Sequence, residues 1–528
     1  MRVAHPVSQV RAAEAELMAR LPAGALMQRA ATGLAVACAT RLGRVYGSPV
    51  VLLVGTGDNG ADALWAGSML ARRGAVVTAV LVGAPRAVPP RAGEPPADAR
   101  PGEPRADAPA EPRIVALQAF RTAGGRVVNR LPAAGLVVDG LVGIGGRGAL
   151  RPAAAALAEA VRGRDVVAVD LPSGVDADTG AVAGAAVRAA LTVTFGTLKP
   201  GLLLAREHVG RIELVDLGLR LPDPVVEVLE DVDVAQLLPR PGAGADKYTR
   251  GVIGIAAGSQ TYPGAAVLTA GAAVRAGAGM VRFVGAPHAA EQVRLRWPEV
   301  VVSEADGAEV VQAGRVQAWV VGPGLGIDRS AAATVEAVLA QDVPVLVDAD
   351  ALTVAAQHPD WLRNRTAPTL LTPHDREFAR FGRQVTDDRV GSARGLAQEF
   401  GVTVLLKGDA TVVVGPSGPA RVNATGTPAL ATAGSGDVLS GAAGALLAQG
   451  LCPLDAGSLA AHLHGRAAAL AAGGATAVAG GATAVAGRAT ISAGDLLVSW
   501  PQAVRAATAL SAQPDPRGCQ TEAVRQRR

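Results

Sequence analysis

The sequence predicts an α/β protein made of two successive domains. Short apolar runs alternate with helical patterns in both halves of the 528-residue chain, and the alternation restarts after a Pro/Gly-rich passage near residue 235. Continuous apolar strands that alternate with helices are typical of parallel sheets covered on both faces, and a chain of this length exceeds one ordinary domain. We therefore expect an N-terminal Rossmann-like doubly wound sheet over residues 1–222 and a second α/β domain over residues 235–510.

Five strands are predicted in the first half from their runs of apolar residues. They are SPVVLLVG (48–55), AVVTAVLVG (75–83), GLVVDGLVG (135–143), DVVAVDLPSG (165–174) and AALTVTFG (189–196). Residues 84–113 interrupt the pattern with nine prolines among charged and small residues. Such a segment cannot bury a core, so we expect a disordered insertion there and a disordered tail over residues 511–528.

The second half repeats the alternation. Its strand predictions are GVIGIAAGS, AWVVGPGLG, VPVLVDADAL, PTLLTPHDREF and VTVLLKGDATVVVG, and they are followed by ATAGSGDVLSG. In this last stretch a glycine-rich turn leads into an apolar helix, with Asp437 at the join. The N-terminus of a helix attracts anions, so the turn is a candidate phosphate site. Asp437 is alternatively an ordinary helix-starting residue.

Composition excludes several classes of partner. The 50 basic and 46 acidic residues are spread along the chain, and only 3% of residues are aromatic, so no nucleic-acid surface is expected. The N-terminus lacks an apolar signal core, and the uncharged run at 251–274 is broken by SQTYPG, so we expect no membrane span. The three cysteines are far apart and fit no metal or disulfide spacing. A soluble, cytoplasmic protein is predicted.

In the first half, polar residues follow the predicted strands. VLLVGTGDNGADAL places Asp58, Asn59 and Asp62 in a glycine-rich turn between a strand and a helix. Asp139, Asp170, Ser173 and Lys199 follow later strands. Ligands of open α/β sheets bind at the carboxyl ends of the strands, so these residues predict a ligand site, with a cation as a further possibility. The alternatives are a simple polar loop at 58–62, a turn role for Asp139 and a cap role for Asp170.

The second half offers complementary chemistry. LLKGDATVVVG places Lys407, Gly408 and Thr411 in a strand–turn–strand element, where the lysine could bind phosphate as a point charge. Asp437 could take a proton from a substrate hydroxyl that attacks a terminal phosphate. His374 in LTPHDREF is a weaker candidate, because a lone histidine at a strand end is more often structural.

Ordered motifs along nearly the whole chain resemble those of the bifunctional NAD(P)H-hydrate repair enzymes. GTGDNGAD, VVDGLVGIG, DLPSGVDADTG and TFGTLKPGL resemble the NAD(P)H-hydrate epimerase, or YjeF N-terminal, domain. DKYTRG, GSQTYPGA, AGAGMV, GPGLG, LTPH, KGDAT and NATGTPALATAGSGDVLSG resemble the ADP- or ATP-dependent NAD(P)H-hydrate dehydratase, a relative of the ribokinase family. All three lysines of the chain fall inside these motifs.

The resemblance implies two reactions on a damaged cofactor. Water adds to C6 of the nicotinamide ring and gives a hydrate that dehydrogenases cannot use. The epimerase equilibrates the R and S epimers of this hydrate, and the dehydratase restores NADH or NADPH from the S epimer. Transfer of phosphate to the C6 hydroxyl creates a leaving group, which the ring nitrogen expels. Because fused bacterial members use ADP, we expect ADP with Mg²⁺ as cosubstrate and AMP with phosphate as products.

The resemblance also implies the site residues. In the epimerase domain the hydrate is expected to contact two loops and one strand end: Asp58, Asn59, Gly60, Ala61, Asp62, Gly143, Ile144, Gly145, Gly146, Arg147, Gly148, Ala149 and Asp170. A potassium ion is expected on Asn59, Asp139 and Ser173, whose hard oxygen atoms suit an alkali cation, and Asp139 is also expected to be catalytic.

In the dehydratase domain the expected hydrate contacts are Ala265, Gly324, His374 and Asp437, with Asp437 as the catalytic base. The nucleotide is expected to contact one loop and the glycine turn: Lys407, Gly408, Asp409, Ala410, Thr411 and Gly436. A homo-oligomer is also expected.

The first domain departs from the family pattern. Its loop reads DNGADA where NNGGDG is usual, so Asp58 replaces an amide, and Ala61 and Ala63 replace glycines. Methyl groups at these two positions would intrude, or would be strained where φ is positive. The alternative function is therefore a ribokinase-like small-molecule kinase with a non-catalytic N-terminal ligand-binding module.

Overall fold

The computed structural model describes residues 1–83, 112–473 and 489–509. The predicted tail at 511–528 and nearly all of the predicted insertion at 84–113 lie outside these residues. The insertion ends earlier than expected, because Pro112 and Arg113 begin a helix in which Arg113 is buried. No helix in the described ranges is long and apolar enough to cross a membrane.

The chain divides into two compact units. The first is Ala4–Asp223, and the second runs from Pro224 onward and includes Met1–Val3. The first unit ends one residue after the expected limit at 222, whereas the second unit begins before the expected 235, since the strand and helix that lie between Pro224 and Leu237 belong to it. A short first strand, β1 (Arg2–Ala4), joins the sheet of the second unit.

The first unit alternates helices and strands. In order these are α1 (Val7–Met18), α2 (Ala25–Leu42), β2 (Pro49–Val54), α3 (Asp58–Arg72), β3 (Val76–Leu81), α4 (Pro112–Thr122), β4 (Arg126–Val127), β5 (Leu136–Gly140), α5 (Pro152–Ala160), β6 (Val166–Val169), β7 (Leu191–Phe195), α6 (Pro200–Leu204), α7 (Arg206–Val209) and β8 (Arg211–Val215).

These strands form one parallel sheet in the order β4-β3-β2-β5-β6-β7-β8. All five predicted strands are present, whereas β4 and β8 carry no pattern that singled them out. One apolar cluster joins α2, α3 and α4 to one face of the sheet, and a second joins α5 to the other. The doubly wound prediction is confirmed. The strand order reverses between β2 and β5, which is where ligands bind in such sheets.

The second unit contains a larger sheet with helices packed against it. Its elements are β9 (Val226–Val228), α8 (Asp231–Leu237), β10 (Val252–Ala256), α9 (Pro263–Arg275), β11 (Met280–Gly285), α10 (Pro287–Arg296), β12 (Val301–Glu304), a 3₁₀ helix (Gly307–Ala313), β13 (Ala318–Val321), α11 (Arg329–Leu339), β14 (Val345–Val347), α12 (Asp350–Gln357), α13 (Asp360–Arg363), β15 (Thr369–Leu371), α14 (Asp375–Ala379), α15 (Arg389–Phe400), β16 (Thr403–Leu406), β17 (Val412–Val414), β18 (Ala420–Val422), a 3₁₀ helix (Pro428–Leu430), α16 (Ser435–Ala448), α17 (Pro453–Ala471) and α18 (Ala493–Ala509).

The sheet order of the second unit is β1-β9-β18-β17-β16-β15-β14-β13-β10-β11-β12. The strands from β16 to β12 in this order are parallel, whereas β16 and β17 form an antiparallel pair, as the strand–turn–strand prediction requires. Helix α16 follows the glycine turn as predicted. It packs so closely on α9 that a Cβ on Gly441 would lie 2.1 Å from the carbonyl oxygen of Thr269.

Candidate functional sites

In the first unit, the ends of β2 and β5 approach each other at the point where the strand order reverses. A Cβ on Gly55 would lie 1.8 Å from the carbonyl oxygen of Leu141, and a Cβ on Gly60 would lie 2.5 Å from that of Gly55. Only glycine fits at these two positions. The close approach brings the first turn of α3, with Asp58 and Asn59, beside the loop that follows β5.

Asn59, Asp139 and Ser173 surround this junction. Asn59 donates from Nδ2 to the carbonyl oxygen of Val169 (2.5 Å), and a Cβ on Gly143 would lie 2.1 Å from its Oδ1. Asp139 is fully buried and accepts bonds from the backbone N–H (2.8 Å) and hydroxyl (2.7 Å) of Ser173. Burial raises the pKa of Asp139 to about 6, although the bonds from Ser173 oppose the rise.

This group offers oxygen atoms of three chemical kinds: an amide, a carboxylate and a hydroxyl. Within the described ranges no cluster of three or more His, Cys, Asp or Glu side chains could hold a metal. An alkali cation is bound by oxygen ligands: neutral oxygen atoms suit it, and one carboxylate balances its charge. The predicted potassium ligands fit that chemistry.

Asp170 and Lys199 form a buried ion pair in the first unit. Lys199 is 1% exposed and donates to Asp170, to Thr194 Oγ1 (3.1 Å) and to the carbonyl oxygen of Phe195 (3.0 Å). Asp170 has a positive φ of 65°, unusual for a residue other than glycine. This backbone turns the carboxylate towards Thr194, whose hydroxyl donates to it (3.0 Å). Lys199 is therefore held in its ion pair with Asp170.

The predicted loop at 143–149 lies close to α1, a helix that no sequence motif identified. A Cβ on Gly145 would lie 2.9 Å from Arg11 Nη2. A cavity of about 110 Å³ is lined by Arg11, the loop residues 144–147 and residues 176–178. Burial raises the pKa of Glu14, one helical turn after Arg11, while the positive charge of Lys199 opposes the rise. Arg11 and Glu14 were missed because they precede the first recognisable strand.

The structure corrects the expectation that alanines at 61 and 63 are strained. Both are fully buried in the regular helix α3, and neither is among the described non-glycine residues with positive φ. Room for the methyl group of Ala63 comes from Gly140, where a Cβ would lie 2.8 Å from it. The altered loop therefore keeps the helical backbone.

In the second unit, the predicted site residues follow neighbouring parallel strands. Gly324 follows β13, His374 follows β15 and Lys407 follows β16. Ala265 lies in the first turn of α9, and a Cβ on Gly324 would lie 2.8 Å from the Cβ of Ala265. The carboxyl ends of these strands thus bring the predicted contacts to one edge of the sheet.

Lys407 is held by two carboxylates. Its Nζ lies 2.8 Å from Asp348 Oδ1 and 3.5 Å from Glu377 Oε2. Burial opposes the charge of Lys407, but the attraction of these carboxylates outweighs it, so the pKa of the lysine is raised. Asp348 also accepts a bond from Ser440 Oγ in α16 (2.6 Å). Asp348 and Ser440 are site residues that sequence reasoning missed, although VLVDADAL shows an acidic residue at a strand end.

Asp437 lies in the first turn of α16 beside this lysine. A Cβ on Gly436 would lie 3.7 Å from Lys407 Nζ, and one on Gly434 would lie 3.9 Å from Asp437 Oδ2. Burial, reinforced by the negative charge of Asp348, raises the pKa of Asp437 to about 7, while Lys407 opposes the rise. The carboxyl group can therefore both accept and release a proton near neutral pH.

His374 has a structural role that is compatible with a binding role. Its Nδ1 accepts from the backbone N–H groups of Arg376 (3.1 Å) and Glu377 (3.2 Å), so it caps α14. The side chain of Glu377 accepts in turn from the His374 N–H (2.9 Å). About half of the His374 side chain is exposed, and its Nε2 lies 3.6 Å from Glu377 Oε1.

The predicted nucleotide loop connects β16 to β17. Thr411 closes it by donating to the carbonyl oxygen of Gly408 (3.1 Å), and Ala410 is buried beneath Gly408 and Asp409, which are exposed. Arg389, which sequence reasoning missed, donates to the carbonyl oxygen of Lys407 (2.5 Å) and to Asp375 (2.8 Å). Arg389 thus anchors the start of the loop at Lys407.

Comparison with known proteins agrees with the two-unit organisation. One family model, described as NAD(P)H-hydrate dehydratase, matches residues 253–486, and another, YjeF-related protein N-terminus, matches residues 23–201. The bifunctional NAD(P)H-hydrate repair enzyme Nnr of Mycobacterium leprae is 53% identical over 480 residues, which cover 89% of this chain and 94% of the relative. The enzyme of the same name from Mycobacterium tuberculosis H37Rv is 52% identical over 459 residues, covering 85% and 90%.

Part of the chain is also similar to a solved structure. This is the ADP/ATP-dependent NAD(P)H-hydrate dehydratase from Bacillus subtilis, co-crystallised with ATP/Mg²⁺. The identity is 28% and the TM-score 0.46, and the match covers 52% of this chain and 97% of that one.

Proposed function

Since this chain belongs to the family of bifunctional NAD(P)H-hydrate repair enzymes, we propose that its two units perform the two reactions separately. The first unit interconverts the R and S epimers of hydrated NADH and NADPH. The second unit dehydrates the S epimer at the expense of ADP, with Mg²⁺, and releases AMP and phosphate. Asp437 next to Lys407 and a glycine turn is the observation that supports the second reaction most directly.

Asp437 acts as the base of the dehydratase. With a pKa near 7, it accepts the proton of the C6 hydroxyl as that oxygen attacks the terminal phosphate. Lys407 and the N–H groups at the start of α16 stabilise the charge that develops on the phosphate. The nitrogen lone pair of the ring then expels the phosphate with the electron pair of the C6–O bond, and loss of a proton from C5 forms the C5=C6 bond of the reduced nicotinamide.

The remaining dehydratase contacts follow from their positions. Ala265, Gly324 and His374 contact the hydrate, and the loop at 407–411 with Gly436 contacts the nucleotide. Their common location at one edge of the sheet supports this assignment. Because phosphate is transferred from the nucleotide to the hydrate, the two ligands must bind next to each other.

In the epimerase unit, Asn59, Asp139 and Ser173 would hold a potassium ion, which would orient the loops that bind the hydrate. Full burial of Asp139 and its bonds to Ser173 favour this ligand role, and a catalytic role of Asp139 stays a prediction. The hydrate contacts residues 58–62, residues 143–149 and Asp170. We also expect copies of the chain to associate, which light scattering tests.

The test is an optical assay on the full chain. A mixture of R and S NADH hydrate is supplied with Mg²⁺, K⁺ and either ADP or ATP, and the return of reduced-nicotinamide absorbance is followed. Complete recovery faster than spontaneous epimerisation allows is expected with ADP. Recovery that stops when the S epimer is consumed contradicts the epimerase function, and no recovery with either nucleotide contradicts the dehydratase function.

A further inference from the structure

Asp348 is a buried carboxylate that joins two parts of the candidate site in the second unit. Its Oδ1 accepts a hydrogen bond from Lys407 Nζ (2.8 Å), directly after β16, and its Oδ2 accepts one from the hydroxyl of Ser440 (2.6 Å), in α16. Burial opposes the charge of Asp348, but Lys407 and the hydrogen bonds outweigh it, so the pKa of Asp348 is lowered. An ionised Asp348 thus binds two different elements, one with each oxygen atom.

The backbone of Asp348 is fixed to the sheet. Its N–H donates to the carbonyl oxygen of Val321 in β13 (3.1 Å), and its own carbonyl oxygen accepts from the N–H of Ala351 in α12 (3.1 Å). A Cβ on Gly322 would lie 2.0 Å from the Asp348 carbonyl oxygen, so the chain after β13 packs directly against it. The carboxylate therefore holds the groups that it binds at a defined place relative to the strand ends.

Ser440 links Asp348 to the helix that carries Asp437. The two residues are three positions apart on α16, so they are neighbours on the helix surface. Buried helical serines commonly donate to the carbonyl oxygen of the preceding turn, as Ser458 of α17 does to Leu454 (2.6 Å). The hydroxyl of Ser440 instead donates to Asp348, so it connects α16 to the end of β14.

Lys407 keeps a donor for a ligand. An ammonium group has three N–H donors, and within the part of the chain that the structure describes Nζ pairs with Asp348 and with Glu377 Oε2 (3.5 Å). The side chain of Lys407 is 20% exposed, and a Cβ on Gly436 would lie 3.7 Å from its Nζ. The third donor is therefore available beside the glycine turn.

We infer that Asp348 is a positioning residue of the dehydration, an inference that rests on the proposed dehydratase function. By binding Lys407 with one oxygen atom and Ser440 with the other, it sets the position of the lysine relative to the start of α16, where Asp437 lies.

Phosphate transfer needs both groups at the same moment. The C6 hydroxyl gives its proton to Asp437 while its oxygen forms a bond to the terminal phosphorus of ADP. The bond from that phosphorus to the bridging oxygen breaks, and its electron pair stays on AMP. Lys407 must meet the phosphate while Asp437 meets the hydroxyl, so a small displacement of one group relative to the other slows the transfer.

The test compares Asp348→Asn, Ser440→Ala and Ser458→Ala in the full chain with Mg²⁺ and K⁺. Ser458 is the matched control, because it is also a buried helical serine of the second unit but bonds within its own helix. For dehydration, kcat and the KM for ADP are measured at saturating S hydrate and about pH 8.5, where a base with a pKa of about 7 is ionised. Calorimetric titration gives the affinity for ADP, and epimerisation of R hydrate without nucleotide is the internal control.

Ser440→Ala is expected to lower kcat for dehydration about 10- to 10²-fold, with the KM and affinity for ADP unchanged, because Lys407 keeps its charge. Asp348→Asn should lower kcat at least as much. Its affinity for ADP should stay the same or increase, because a negative charge near the phosphates is removed. Ser458→Ala should match the wild type, and epimerisation should be unchanged in all three variants.

Wild-type kcat in Ser440→Ala overturns the inference, and this variant decides the question if Asp348→Asn does not fold. A loss of kcat that is equal in Ser458→Ala, or that is accompanied by weaker binding of ADP, also overturns it, because a general structural defect would then be the cause. A wild-type chain that restores no reduced nicotinamide from the S epimer with ADP or ATP overturns the dehydratase function itself, and the positioning role with it.

Discussion

The two units each contain a buried lysine–aspartate pair, but the pairs differ in access. Lys199 is 1% exposed and bonded to Asp170, whereas the side chain of Lys407 is 20% exposed and lies between Asp348 and Glu377. In both units a neighbouring carboxyl group, Asp62 or Asp437, is left with a raised pKa. The buried Lys199–Asp170 pair holds the strand ends together, whereas the partly exposed Lys407 remains available to an anion. The exposed fraction of the lysine side chain, more than the sequence motif around it, therefore distinguishes the structural Lys199 from the ligand-binding Lys407.

The largest expected effect is on the dehydratase. Asp437→Asn removes the base and should lower kcat for dehydration about 10²- to 10⁴-fold, while epimerisation by the same chain stays unchanged. Asp360→Asn is the control, since Asp360 is exposed and pairs with Arg363 on the surface. Steady-state assays of both reactions measure this, and equal losses in both would contradict two independent sites.

Substituting the two lysines tests the difference in access directly. Lys199→Met leaves Asp170 as an uncompensated buried charge and should destabilise the first unit by about 3–5 kcal/mol. Lys407→Met should act mainly on function, raising KM for ADP, because its position is more open. Calorimetric unfolding and nucleotide titration give the two readouts. Similar losses of stability in both variants would show that access does not distinguish the pairs.

The pH profile of dehydration should reflect Asp437. A base with a pKa of about 7 must be ionised, so kcat/KM should fall about tenfold per pH unit below that value and level off above it. Lys407→Met removes a charge that lowers this pKa and should shift the fall to higher pH. The profile is measured with the S epimer at saturating ADP, and a flat profile between pH 5 and pH 7 would argue against Asp437 as the base.

The smallest expected effect concerns the altered loop of the first unit. Because Ala61 and Ala63 lie in regular helix, replacing either by glycine should cost about 1 kcal/mol of stability without faster epimerisation. Denaturant unfolding and the epimerase assay measure the two quantities. A marked gain in epimerisation would mean that the methyl groups do obstruct the hydrate.

Much of each site was predictable because its chemistry is local. The glycine turn before Asp437 and the antiparallel pair around Lys407 follow from turn residues and apolar periodicity over a few positions. The pairing of Lys407 with Asp348 was not predictable in this way, because the two residues are 59 positions apart in the chain. Likewise nothing in the sequence of α1 distinguishes Glu14 from Glu16, which lies two residues later and is exposed.

The sequence by itself determined the two α/β units, the positions of most strands and the family, since periodicity and ordered motifs are properties of neighbouring residues. Only the tertiary structure decided which lysine is fully buried, which carboxyl groups have raised pKa values and which helix lies beside the candidate site of the first unit. Those properties depend on burial and on distances through space, and both arise only when segments remote in sequence pack together.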